Sequence, residues 1–205
     1  MEHKTAAEIE SVLHFWFGSL KKPEDYHPAK MDMWFKSGAE YDHEITCRFG
    51  TLHQAAVAGE LNHWCDNAQG RLALIIILDQ FSRHIHRNNA KAFEQDPTAQ
   101  ALVITGLELK HDLDLLFIER SFFYLPLEHA ENITLQNLAV ERYAHLLKAV
   151  PDNLKEYYQG TLEYAEAHHK VIELFGRFPE LNPILNRSNY PEEEQFLHNQ
   201  KYHFL

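Results

Sequence analysis

Apolar residues recur at spacings of three and four along almost the whole chain, and runs of alternating β-branched residues are absent. This pattern predicts an all-α protein of antiparallel helical hairpins. Thr5-Ala-Ala-Glu8 has the form of a capping box, so a first helix is predicted over 5–17 with Ile9, Val12, Leu13 and Trp16 inward and Gly18 closing it. Met31 to Phe49 reads as a helix broken near Ser37-Gly38, followed by a shorter segment from Leu52 to Ala58. Asn67 caps a long helix running through Leu72 to about Arg87, which Asn88-Asn89 interrupts. Asp96-Pro97 opens a further helix that Gly106 ends. Helices near Phe117 to Leu125, Asn132 to Val150 and Asn153 to Phe175 follow, punctuated by Pro126, Pro151 and Gly176. A turn-rich stretch then leads to a short helix from Pro191. Connections this short make successive helices antiparallel neighbours, and no low-complexity linker divides residues 1–205, so one helical domain is expected.

The chain has 205 residues, Lys+Arg 19 against Asp+Glu 30 and a formal charge of -11. An acidic chain without a basic run lacks the footprint of a nucleic-acid binder. Its longest apolar run, Leu72 to Leu78, is far shorter than the roughly 20 residues a membrane helix needs. The polar first residues do not resemble a signal peptide, and two cysteines make no disulfide framework, so the expected location is the cytoplasm. Neither cysteine has a histidine partner evident from spacing. The 15 histidines are the one compositional oddity. Glu-x-x-His occurs at Glu40/His43, Glu60/His63, Glu108/His111 and Glu166/His169, a spacing that can build di-iron sites in helical bundles. The motif is too common to imply a metal here, and no metal or other cofactor is expected.

Four groups of polar residues stand out against their apolar surroundings. On a helical wheel of the central helix, Leu74, Ile77, Leu78, Phe81 and Ile85 form one stripe, while Asp79, Arg83 and His86 fall on another side, flanked by Gln80, His84 and Arg87. Arg83, at i+4 from Asp79, is placed either to fix the helix as an internal ion pair or to line a ligand site with it. The stretch ERSFFYLPLEHAENITLQ surrounds Glu119, Arg120, Glu128, His129, Glu131 and Gln136 with aromatic and aliphatic residues. Glu128 and Glu131, one turn apart if helical, could raise one another's proton affinity or simply complement a helix dipole. His168 lies on a partly apolar helix face, as a satisfied core residue or a proton acceptor. Arg177, Asn182 and Arg187 lie in FGRFPELNPILNR, where the arginines could tie the C-terminal turn or grip an anion.

The blocks LALIIILDQFSRHIHR, ERSFFYLPLEHAE and LFGRFPELNPILNR, with VLHFWFG upstream, make the chain from about Val12 to Leu197 resemble the domain-of-unknown-function 924 family. The resemblance implies an all-α fold of antiparallel helical hairpins in a tetratricopeptide-like right-handed superhelical or bundle arrangement, in proteins known mainly from bacteria, and no assigned activity. Asp79, Gln80, Phe81, Arg83, Arg87, Glu119, Arg120, His129, Glu131, His168, Arg177, Asn182 and Arg187 match the family pattern. Ser82, His84, His86, Asn88, Ala130, Glu180, Leu181 and Asn186 depart from it.

Three functional expectations follow. The first is a pocket in which Gln80, Arg83, Arg87, Glu119, Arg120, Arg177, Asn182 and Arg187 hold a small anionic or peptide-like ligand. The second is a hydrolase that uses His129 or His168 as general base, with Glu131 or Asp79 orienting or protonating. The third is a helical interaction module whose polar residues satisfy one another, and a homo-oligomer is compatible with all three.

Overall fold

The computed structural model describes residues 2–25, 28–35 and 38–199, and among these every regular element is helical. The main helices are α1 (Glu2–Phe17), α2 (Pro28–Phe35), α3 (Asp42–Val57), α4 (Ala68–Ile75), α5 (Ser82–Ile85), α6 (Asp96–Glu108), α7 (Phe117–Glu128), α8 (Ile133–Ala149), α9 (Lys155–Phe175) and α10 (Pro191–Asn199). No helix among the described residues is long and apolar enough to cross a membrane.

Local sequence explains most boundaries. The Asn67 side chain accepts from the Gly70 amide at 2.9 Å to open α4, and Asn132 does the same for two amides of α8. Gly176 ends α9 in the left-handed conformation, φ 70°, which a residue lacking Cβ adopts without strain. Four boundaries differ from expectation. Thr5 lies inside α1, which begins at Glu2, and α3 runs unbroken through Leu52 to Val57. Gly106 lies within α6, and Pro126 lies within the last turn of α7. The expected break before α3 falls at the Gly38–Tyr41 3₁₀ turn; Ser37 is outside the described residues.

Gly106 serves close approach and not termination, because a Cβ there would stand 2.6 Å from both Arg71 Cδ and Phe123 Cζ. Gly70 is tighter still, its added Cβ meeting the Trp64 carbonyl oxygen at 2.2 Å. Gly70→Ala must therefore displace backbone, and urea denaturation is expected to show a loss of about 1–3 kcal/mol.

The helices pack around α4. Leu72, Ile75, Ile76 and Ile77 are fully buried, which explains why this segment is apolar on all sides. Phe49 stacks on Phe81 at 4.9 Å, and Trp16 meets Phe81 and Phe122 edge-on at 5.7 Å each, so α1, α3 and α7 converge where α4 gives way to polar residues. Beyond α7 the chain follows the expected hairpin order, with α7 against α8 and α8 against α9. The Tyr143 hydroxyl of α8 donates to the Ser121 carbonyl of α7 at 2.9 Å. Val171, Ile172, Phe178 and Leu181 form a second, smaller apolar cluster that joins the end of α9 to the segment after it.

Candidate functional site

Between α4 and α5 the chain winds as a π-helix from Ile76 to Phe81. A wider turn shifts the backbone pairing from i−4 to i−5 and leaves carbonyls open to other donors. Ser82 Oγ donates to the Leu78 carbonyl at 2.6 Å and Arg83 Nη1 to the Asp79 carbonyl at 2.9 Å. The π turn thus carries Asp79 into the interior and recruits Arg83 to its own backbone. A uniform helical wheel cannot anticipate this, because it assumes 100° per residue throughout.

Asp79 has no solvent exposure and is surrounded by donors. Its Oδ1 accepts from His129 Nδ1 at 2.8 Å and lies 2.9 Å from Arg83 Nη1, while Oδ2 accepts from Gln80 Nε2. Burial pushes the carboxyl up, but the Arg83 and His129 charges and the hydrogen bonds more than offset it, so Asp79 is held well below the usual carboxylate range. Arg83 also forks onto Asp96 at 2.9 and 3.0 Å, its guanidinium lying over the Phe93 ring. Burial raises the Asp96 carboxyl against the pull of Arg83.

His129 caps the C-terminus of α7. An ionised Asp79 can only accept, so His129 must carry its proton on Nδ1, and neutral imidazole then presents a basic Nε2. The His129 side chain retains 10% exposure.

Glu128 and His168 form a second polar group one residue away. Both side chains are buried, with Glu128 Oε1 3.4 Å from His168 Nδ1, whose hydrogen bond goes to the Tyr164 carbonyl at 2.9 Å. Burial pushes the Glu128 carboxyl up to about 8, partly offset by the Tyr143 hydroxyl and reinforced by the Asp79 charge. Glu131 does not contribute. Because α7 stops at Glu128, Glu131 lies beyond the helix, where it accepts from the Phe178 amide at 2.7 Å and from Arg187 at 2.6 and 2.8 Å. The anticipated pairing of Glu128 with Glu131 is therefore replaced by burial and Asp79.

The remaining candidates are spread over three places. Arg87 grips Asp42 with two hydrogen bonds, and His84 Nδ1 meets the same carboxylate at 2.8 Å. Glu119 accepts from the Leu116 amide at 2.8 Å and from Gln69, capping α7, while Arg120 donates to the Leu113 and Leu115 carbonyls. Arg177 forks onto Glu193 at 2.6 and 2.7 Å, and Asn182 donates to Asn189 and to Glu193. The structure thus brings Asp79, Gln80, Arg83 and His129 together beside Glu128 and His168, and sets Arg87, Arg120 and Arg177 apart. Arg187 reaches the same neighbourhood only through Glu131.

Asp96, Asp42 and Glu193 were not readable as partners. Each lies 13 to 45 residues from its arginine, and the Asp96-Pro97 signal reads as a helix cap. No group of three or more His, Cys, Asp or Glu side chains able to hold a metal occurs among the described residues. Cys47 does have a histidine neighbour, His43, whose Nε2 lies 3.6 Å from the sulfur on an exposed helix face.

Residues 12–201 match the family described as "Bacterial protein of unknown function (DUF924)". A solved structure described as "Structure of Protein of Unknown Function ATU0120 from Agrobacterium tumefaciens" is similar throughout. It is 34% identical, with a TM-score of 0.81, over 96% of this chain and 99% of that one. Among curated proteins, none matches. With its helical fold shared with the Agrobacterium protein and its separated polar blocks within the matched span, the chain belongs to the bacterial DUF924 family.

Proposed function

We propose that the chain is a cytoplasmic hydrolase of small peptide-like substrates, in which His129 is the general base and Asp79 orients it. The observation that supports this most is the 2.8 Å hydrogen bond from His129 Nδ1 to a fully buried, ionised Asp79. That arrangement fixes the tautomer in which Nε2 is free to take a proton, and it stabilises the imidazolium that results. Nε2 accepts a proton from a water molecule as the water oxygen bonds to an amide or ester carbonyl. The imidazolium then returns the proton to the departing amine or alcohol as the carbonyl–leaving-group bond breaks. Asp79 stays ionised throughout because Arg83 holds it so.

A binder of small anions, the other reading the polar residues invite, needs a guanidinium free to meet the ligand. Arg83, Arg87, Arg120, Arg177 and Arg187 are each engaged by carboxylates or carbonyls of the chain itself. Anion capture would have to break one of these pairs.

The test is turnover against a panel of aminoacyl-nitroanilides and p-nitrophenyl esters. His129→Ala is expected to lower the rate by about 100-fold or more, the range of a lost general base, with unchanged far-UV circular dichroism. No turnover on any member of the panel, or turnover that survives His129→Ala, overturns the proposal.

A further inference from the structure

The segment after Gly176 has an organisation of its own. Arg177, at its start, forks onto Glu193 in α10 and donates to the Ser188 carbonyl at 2.9 Å, and Asn182 reaches the same Glu193. These bonds lie within the segment and make it a unit. Its polar fastening to the body is separate, since Arg187 and the Phe178 amide both converge on Glu131 in the loop between α7 and α8. Its apolar contacts belong to the small cluster around Phe178 and Leu181 and not to the main core.

What this unit covers is the polar centre. The Phe178 ring meets His168 edge-on at 5.5 Å. Burial, reinforced by the Glu128 charge and then by Glu180 from within the unit, pushes the Tyr164 phenol up to about 12. At the other end, Phe93 packs against the same small cluster and carries the Arg83 guanidinium. Under this cover Glu128 is 1% exposed and its Oε1 has no hydrogen bond, a cost that hydration on opening would remove. The Glu131–Arg187 pair keeps 29% and 23% exposure, so water reaches it and can replace its bonds when the segment lifts. Gly176 supplies a joint, being left-handed with open space where a side chain would stand.

We propose that residues 177–199 are a strap that swings on Gly176, latched by Glu131 to Arg187 and the Phe178 amide, and that its opening exposes Glu128 and His168 beside His129. As a gate for substrate the strap rests on the hydrolytic reading above. As a moving part it does not, and the two fail separately because labelling needs no turnover.

The experiment is diethyl pyrocarbonate labelling with hydrogen exchange, read by mass spectrometry on the full chain. Arg187→Gln removes the ionic half of the latch, leaving Glu131 only the Phe178 amide, and keeps the internal Arg177–Glu193 fork in place. It is expected to raise exchange over 178–198 and modification of His168 by about tenfold or more, with His53 of α3, buried against Ser82 of α5, unchanged. Arg177→Gln loosens the strap internally but keeps the latch, and is expected to speed exchange near 188–198 without exposing His168. Unchanged His168 labelling in Arg187→Gln, or His53 labelling rising in step with it, overturns the strap. Equal exposure of His168 in both variants overturns Glu131–Arg187 as the latch.

Discussion

Replacing Arg83 by Met is expected to lower stability by about 3–5 kcal/mol at neutral pH, more than any other single change in the polar centre. Arg83 neutralises two carboxylates at once, Asp79 with no exposure and Asp96 with 14%, and it also completes the backbone of the π turn. Methionine fills much of the same space but leaves both carboxylates without a guanidinium, Asp79 keeping only its hydrogen bonds from His129 and Gln80. Asp79→Asn removes one charge, keeps the Arg83–Asp96 fork, and should cost less. The pH dependence has a definite sign. Arg83 holds the folded-state proton affinity of Asp79 below its unfolded value, so the stabilisation is present above the unfolded carboxylate range and fades as pH falls through it. The deficit of Arg83→Met should therefore be largest near pH 7 and shrink below about pH 4, where the orphaned carboxyls can take up protons. Urea midpoints of the three proteins across this range check both the order and the trend.

Glu128→Gln is expected to act in the opposite direction and to stabilise the protein in mild alkali. The folded chain keeps the Glu128 proton to about pH 8, whereas an unfolded chain releases it near 4.5. This contribution favours folding only below the unfolded value and is lost as pH rises through the folded one. Integrated across that window, the penalty on the folded wild type is about 3–5 kcal/mol by pH 8.5. Glutamine is isosteric and cannot ionise, so its stability should stay flat in this window. At pH 5 the two proteins should differ little, and at pH 8.5 the variant should be the more stable. Parallel curves would mean that Glu128 is hydrated or paired with a cation in solution.

Helical spacing makes the fold class legible, and Asn67 and Gly176 mark their boundaries because a cap and a left-handed turn need those particular side chains. Thr5, Gly106 and Pro126 mislead for a common reason. A capping motif or a helix breaker states only a local preference, and burial of Phe15, Trp16, Val103 and Leu127 outweighs it. The candidate site is legible residue by residue but not as an arrangement. Asp79 and His129 stand out separately as polar groups in apolar surroundings, yet they are 50 positions apart and no periodicity joins them. The π turn that brings them together has no sequence signature in IILDQF. The arginines mislead most, because a guanidinium among aromatics reads identically whether its carboxylate belongs to a ligand or to a distant part of the chain.

The most direct measurement of the central claim is the tautomer of His129, read from long-range proton–nitrogen correlations of the ¹⁵N-labelled imidazole in its neutral form. A neutral ring with the proton on Nδ1 and an unprotonated Nε2 is the expected result, because an ionised Asp79 can only accept, and in Asp79→Asn this preference should weaken. A proton on Nε2 in the wild type would contradict the account, since His129 could then neither donate to Asp79 nor take a proton from water.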